Sequence, residues 1–290
     1  MRGRGASRRE WLLGTAAAVV GAATSPGVLR SDSRMPSGRL KQSVSRWPFA
    51  NVPFDRFCQE AATMGIRAID LLRPKDWERV RAHGLVCSMG EPTDRQDFIA
   101  TGFNDRTHHP MLLAELEETI PLAARHNVPN VIAMFGNREG RRDGESIAAC
   151  VEGLREIAPL ATEHGVTVCV ELLNSKVDHQ DYQGDRTWFG IEVIDGVESP
   201  HVKLLYDIYH MQIMEGDVIR TIRDTIQHIA HFHTGGVPGR HELDESQELN
   251  YRAVATAIAD QGFQGYLAHE FNPTGDPMAA LRQAVETCDV

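Results

Sequence analysis

Val166-Thr-Val-Cys-Val-Glu171-Leu-Leu173 is a β-branched, apolar run interrupted by one carboxylate near its carboxyl end. Three later stretches share that layout: Val202-Lys-Leu-Leu-Tyr-Asp207, His228-Ile-Ala-His-Phe-His233 and Gly265-Tyr-Leu-Ala-His-Glu270. Each finishes on one polar group, and the four endings lie 36, 26 and 37 residues apart, spacings that hold a strand and its following helix. Working back toward the amino terminus, the same reading gives strands at Val44–Trp47, Ala68–Leu72, Leu85–Ser88 and Asn130–Phe135. Between them run amphipathic stretches at Pro53–Met64, Lys75–His83, Pro110–His126, Gly144–Glu163, Asp217–Ile229, Tyr251–Gln261 and Pro277–Thr287. Gly65, Gly84, Asn127, Gly165 and Gly262 each stand between a helix and the next strand, as left-handed helix ends require.

Eight strands alternating with helices over residues 43–290 predict an α/β fold, a single-domain (β/α)8 TIM barrel. A doubly wound open sheet is the alternative. No G-x-G-x-x-G follows the first strand and no P-loop occurs, which counts against it. The fifth helix is the least defined, because Asn174–Gly190 is polar and contains Gly184 and Gly190. That long insertion follows the fifth strand, on the side where barrels build their sites.

The 290 residues are 42% hydrophobic and 24% charged, with 30 basic against 40 acidic side chains and a formal charge of -10. An acidic chain of this kind predicts no nucleic-acid partner and no attraction to an anionic membrane. Residues 1–30 read differently: Ser7-Arg8-Arg9-Glu10-Trp11-Leu12-Leu13, then a small apolar stretch to Ala23 and a Pro26-Gly27 break. This resembles a twin-arginine export signal, an address read by the machinery that exports folded proteins. It implies export to the periplasm or cell envelope, with membrane anchoring if the signal stays uncleaved. A packed amino-terminal helix is the alternative. Residues 31–42 read as a linker. The five cysteines form no C-x-x-C pair and no metal-ligand spacing, and no essential disulfide is expected.

In a barrel, a polar residue at the end of a strand faces the mouth where catalysis occurs. Glu171, Asp207, His233 and Glu270 come one each from strands five to eight. Three carboxylates and an imidazole converging in a small mouth repel unless a cation compensates. A divalent metal resolves the conflict, and this oxygen-rich set suits Mn²⁺ or Mg²⁺, with Co²⁺ as a possible substitute. Each residue alone has a plainer reading as a helix cap, ion-pair partner or core histidine, and His231 competes with His233 for the imidazole position.

The surrounding motifs carry a resemblance. Glu171-Leu-Leu-Asn174, Asp207-Ile-Tyr-His210-Met211, His233-Thr-Gly-Gly-Val-Pro-Gly-Arg240-His-Glu242, Asn250-Tyr251 and Glu270-Phe271-Asn-Pro273 are similar to those of the hydroxypyruvate isomerase family. That family belongs to the xylose-isomerase-like TIM barrels and is related to ketose 3-epimerases. The resemblance covers roughly residues 43–286 and is weaker before residue 130. It implies a metal held by Glu171, Asp207, His233 and Glu270, with Glu171 and Glu270 also the two acid/base groups. His210 and Arg240 match positions that contact substrate oxygens. The family often has Gln where this chain has His233, while the epimerases have His, and the usual Glu-Pro-Leu-Asn is here Glu-Leu-Leu-Asn. These departures bear on the substrate.

The implied reaction interconverts an α-hydroxy ketone and aldehyde through an enediolate. Two carboxylates exchange the proton, and a metal stabilises the two charged oxygens. Hydroxypyruvate to 2-hydroxy-3-oxopropanoate is the leading expectation. A ketose or inosose 3-epimerase, or a non-catalytic exported sugar-binding barrel, is the alternative. The partner is therefore a small hydroxy-keto acid or sugar, and a homo-oligomer is possible. His179, Asp181, Tyr182 and Trp188, in the loop after strand five, are candidates for a lid or for dimer contacts. His108 and His109 are expected to be exposed or capping.

Overall fold

The β-branched runs form the strands because both faces of each are buried, so the pleated surface is filled on either side. A computed structural model describes residues 38–290. The expected export signal at 1–30 and residues 31–37 of the expected linker lie outside the described residues. Eight parallel strands follow in chain order: β1 (Lys41–Ser45), β2 (Ala68–Asp70), β3 (Val86–Cys87), β4 (Asn130–Met134), β5 (Thr167–Leu172), β6 (Val202–Asp207), β7 (Ile229–Thr234) and β8 (Tyr266–His269). Their order in the sheet is β3-β2-β1-β8-β7-β6-β5-β4. Residue Gly90, just past β3, forms parallel bridges to both Leu72 and Val131 and so joins the two ends of the sheet. Its own N–H donates to Asn130 O at 2.8 Å, and its carbonyl accepts from Ile132 N at 3.0 Å. A side chain here would meet the Trp77 ring at 2.8 Å, so the seam needs glycine.

The helices are α1 (Phe54–Thr63), α2 (Pro74–Arg81), α3 (His109–Arg125), α4 (Asp143–His164), α5 (Thr187–Val197), α6 (Ile208–Met214), α7 (Val218–Thr225), α8 (Tyr251–Asp260) and α9 (Pro277–Cys288). In α3 the buried Leu112, Leu116, Ile120 and Ala123 recur at helical spacing and cover the strands from outside. Gly165 ends α4 at φ 64°, a left-handed turn that leads directly into β5. The result is one TIM-barrel domain, as expected.

Three local expectations need correction. The first strand begins at Lys41, inside the expected linker, and stops at Ser45; Trp47 instead starts a short 3-10 turn at the mouth. Within the stretch after β5, Thr187 opens α5, because Phe189, Val193 and Ile194 bury an apolar face that outweighs Gly190. Between β6 and β7 an additional helix, α6, starts at once from Asp207, whose side chain caps it.

Candidate active site

Register decides where the strand-end groups meet. Asp207 pairs with His233 across β6 and β7, Glu171 sits one residue before the end of β5, and Glu270 follows β8, its N–H donating to Thr234 O at 3.0 Å. Potential ligand atoms of Glu171, Asp207, His233 and Glu270 all lie within 4.8 Å of one another. All four residues are buried. The structure thus brings together the four groups singled out in the sequence. His233 Nδ1 is the hub, 2.7 Å from Glu270 Oε2, 3.2 Å from Glu171 Oε1 and 3.9 Å from Asp207 Oδ2.

Charge in this pocket is balanced locally. Arg240 Nη2 donates to Asp207 Oδ2 at 2.8 Å and also to Glu270 Oε2, and its Nε donates to Glu270 O at 3.1 Å. The guanidinium lies 5.2 Å from the centre of the Tyr209 ring and 5.6 Å from that of Trp47. Arg240 itself adopts φ 56°, a left-handed conformation that is costly for a side-chain-bearing residue and that aims it at the carboxylates. Burial, partly offset by Arg240, pushes Asp207 up to about 7. Burial works the same way on Glu270, but Arg240 and His233 overcome it and hold that carboxyl down. His233 is buried too, yet Glu270, Asp70 and Glu171 keep its pKa well above the usual imidazole range.

His210 is fully buried beside the four clustered groups, and Asn174 and Arg240 flank its ring. The Asn174 Oδ1 accepts from the N–H groups of Val177 and Asp178, so its amide nitrogen faces His210 Nδ1 at 2.6 Å and must donate. The other ring nitrogen, Nε2, lies 3.1 Å from Arg240 Nη1, a donor, and 3.5 Å from Asp207 Oδ2. Burial and the neighbouring Arg240 cation keep this ring neutral. Arg240 makes contacts with Asp207, Glu270 and His210 Nε2 while also lining the cavity beside Glu171 and Glu270.

The loop after β5 divides into separate roles. Tyr182 is buried, its hydroxyl donating to Glu171 O and accepting from Phe135 N, each at 2.9 Å, so it anchors the strand end rather than forming part of a lid. Asp181 accepts from Glu139 N, Trp188 is exposed on α5, and His179 alone of the four lines the cavity. His109 is buried, its Nε2 3.0 Å from Phe103 O, which corrects the expectation of an exposed or capping residue.

A cavity of about 350 Å³ opens onto Glu171 and Glu270. Trp47, Glu91, His179 and Arg240 line it with them, and Leu71, Phe98, Ile99, Ile132, Met134 and Leu173 supply an apolar wall. Two larger clefts, of about 600 and 500 Å³, lie beside α8 and at the amino-terminal ends of the strands; neither is lined by the four clustered groups.

Sequence reading missed four contributors. Trp47 Nε1 donates to Glu270 Oε1. Asp70 Oδ2 lies 2.9 Å from His233 Nε2, and its Oδ1 lies 3.1 Å from His231 Nε2 and accepts from Ser88 Oγ. Asn174 and Glu91 complete the set. Asp70 ends β2, whereas the sequence reading carried that strand on to Leu72 and so left Asp70 inside the run. Trp47 carried no signal, because only folding brings β1 beside β8.

Three carboxylates and an imidazole nitrogen converging while buried form a donor set that fits a divalent, oxygen-preferring cation. The chain matches the Xylose isomerase-like TIM barrel family over residues 58–289, and it belongs to that family. The 2-oxo-tetronate isomerase of Cupriavidus necator is 34% identical over 245 residues, 78% of this chain and 90% of that one. A putative hydroxypyruvate isomerase of Homo sapiens is 25% identical over 240 residues, 81% of this chain and 80% of that one. Among solved structures, an AP endonuclease, family 2, from Brucella melitensis superposes with a TM-score of 0.75 at 26% identity, covering 83% of this chain and 97% of that one. The chain is an isomerase of this family, similar to relatives named as 2-oxo-tetronate and hydroxypyruvate isomerases.

Proposed function

We propose that this isomerase is divalent-metal-dependent and interconverts hydroxypyruvate and 2-hydroxy-3-oxopropanoate. The observation that carries this reading is the convergence of Glu171, Asp207, His233 and Glu270 within 4.8 Å at the mouth of the barrel. Mn²⁺ or Mg²⁺ suits the donors, with Co²⁺ as a substitute. When bound, such a cation supplies Lewis-acid stabilisation to negative charge developing on two substrate oxygens.

The chain's own groups divide the remaining work. Glu171 and Glu270 reach the mouth from opposite flanks, β5 and β8, so one carboxylate removes the proton from the hydroxymethyl carbon and the other protonates the former carbonyl carbon. The hydroxyl proton moves from the first oxygen to its neighbour, so atoms balance with no external reductant. Trp47 holds Glu270 Oε1, and Tyr182 fixes the backbone of Glu171. Arg240 keeps Asp207 and Glu270 close despite their like charge. The apolar wall excludes water from the reacting carbons.

A second reading, a ketose or inosose 3-epimerase on the same groups, is favoured by one observation: about 350 Å³ is generous for a three-carbon substrate. The net charge of -10 opposes an endonuclease-like activity on nucleic acid. For residues 1–30 the proposal is a twin-arginine-type export signal leading to the cell envelope; replacing Arg8 and Arg9 by Lys, followed by fractionation, tests it. The function is tested with chelated protein assayed on hydroxypyruvate, ketohexoses and inososes before and after restoring Mn²⁺, Mg²⁺ or Co²⁺. Metal-restored turnover of hydroxypyruvate supports the main reading, and turnover of the sugars alone replaces it with the second. Full activity after chelation, or none with any substrate and metal, overturns the metal-dependent isomerase.

A further inference from the structure

Asp70 is fully buried at the end of β2, yet it reaches across the barrel interior to two histidines of β7. Its Oδ2 lies 2.9 Å from His233 Nε2; its Oδ1 is held by the Ser88 hydroxyl and lies 3.1 Å from His231 Nε2. A carboxylate oxygen at that distance can only accept, so it draws the imidazole proton to Nε2. The opposite ring atom, Nδ1, is the one that faces Glu171, Asp207 and Glu270. A histidine binds a metal through an unprotonated nitrogen, and the partner of its other nitrogen decides which one is free.

We infer that Asp70 is a positioning residue for the cation site: it fixes the tautomer and ring direction of His233 so that Nδ1 is presented to the cluster of three carboxylates. This rests on the proposed metal dependence. Ser88 is the brace, locking the Asp70 carboxylate by its other oxygen. His231, a rival for the ligand position in the sequence, lies on the Asp70 side of His233, so its place in the barrel is beside the brace.

The test is Mn²⁺ titration by calorimetry on metal-free protein, with the melting temperature of each metal-free variant as a check of the fold. Asp70→Asn keeps the shape but can present its amide to His233 and send the proton to Nδ1. It is expected to melt near wild type and to bind Mn²⁺ about 10- to 100-fold more weakly. In a His233→Ala background the same change is expected to add no further loss, because Asp70 acts through His233. Equal affinity of Asp70→Asn and wild type, or the same loss with and without His233, overturns the inference while leaving metal dependence intact. Two Mn²⁺ per chain, with one lost in Asp70→Asn, overturns it in favour of a second ion on Asp70, His231 and His233. A wild type that binds no Mn²⁺ overturns the proposed function together with this inference. If Asp70→Asn does not fold, Ser88→Ala replaces it: it keeps the carboxylate, is expected to weaken binding by about 2- to 10-fold, and at unchanged affinity contradicts the role of Asp70.

Discussion

Arg240 Nη2 stands 2.8 Å from Asp207 Oδ2 while also donating to Glu270 Oε2, so one guanidinium bridges two of the four clustered groups. Removing it leaves two buried carboxylates facing each other. Metal-free Arg240→Gln is therefore expected to be less stable than wild type by about 3–5 kcal/mol, the usual loss on breaking a buried pair. Added Mn²⁺ should raise its melting temperature by more than it raises that of wild type, since the cation replaces the missing charge. Thermal melts with and without metal check this, and equal shifts in the two proteins contradict it.

Glu171 and Glu270 are expected to be separately essential to proton transfer. Glu171→Gln and Glu270→Gln should each lower kcat by about 10²- to 10⁴-fold, the range for a positioned acid or base. Exchange of the substrate carbon-bound proton with deuterated solvent separates the two: the variant lacking the base for a given direction loses exchange as well as turnover. Near-normal kcat in either variant removes that glutamate from the mechanism.

Trp47 touches Glu270 through a single donor, the indole N–H. Trp47→Phe keeps an aromatic ring at the cavity wall but frees Glu270 Oε1. Loss of one hydrogen bond to a charged group predicts a fall in kcat of about tenfold or more with KM little changed. A change confined to KM would instead mark Trp47 as part of the binding surface alone.

How much of this was legible in the sequence depended on the range over which each signal acts. Glu171, Asp207, His233 and Glu270 were legible because each closes its own strand run, a local pattern that the barrel converts into convergence. The α5 helix was not, because Thr187–Val197 gains its stability from burying Phe189, Val193 and Ile194 against the barrel, while its neighbours read as loop. His210 was expected to contact substrate because the Asp207-Ile-Tyr-His210-Met211 stretch resembles the family motif. Only the fold shows α6 turning it inward against Asn174. Tyr182 and Trp188 lie six residues apart in one polar stretch, yet one is buried and the other exposed, a difference set by packing against Phe135 and the β5 backbone.

Glu91 gives a pH signature. Burial first, with Asp70 and Glu270 adding to it against Arg73, raises its pKa to about 7. The native state therefore holds this proton more tightly than the unfolded chain does. Between the ordinary glutamate range and about pH 7 the folded protein binds more protons, so this residue's contribution to stability falls as pH rises through that window. Glu91→Gln should remove that part of the slope. Melting temperatures of both proteins across pH 4–8 check it, and parallel curves contradict it.

The direct measurement of whether these four side chains share one cation is anomalous diffraction from crystals soaked in Mn²⁺. Expected is a single strong peak bonded to Glu171, Asp207, Glu270 and His233 Nδ1, at about 2.0–2.6 Å, the range of such ligands. A map with no peak among them, or with the ion held elsewhere in the barrel, contradicts the metal centre on which the proposed reaction depends.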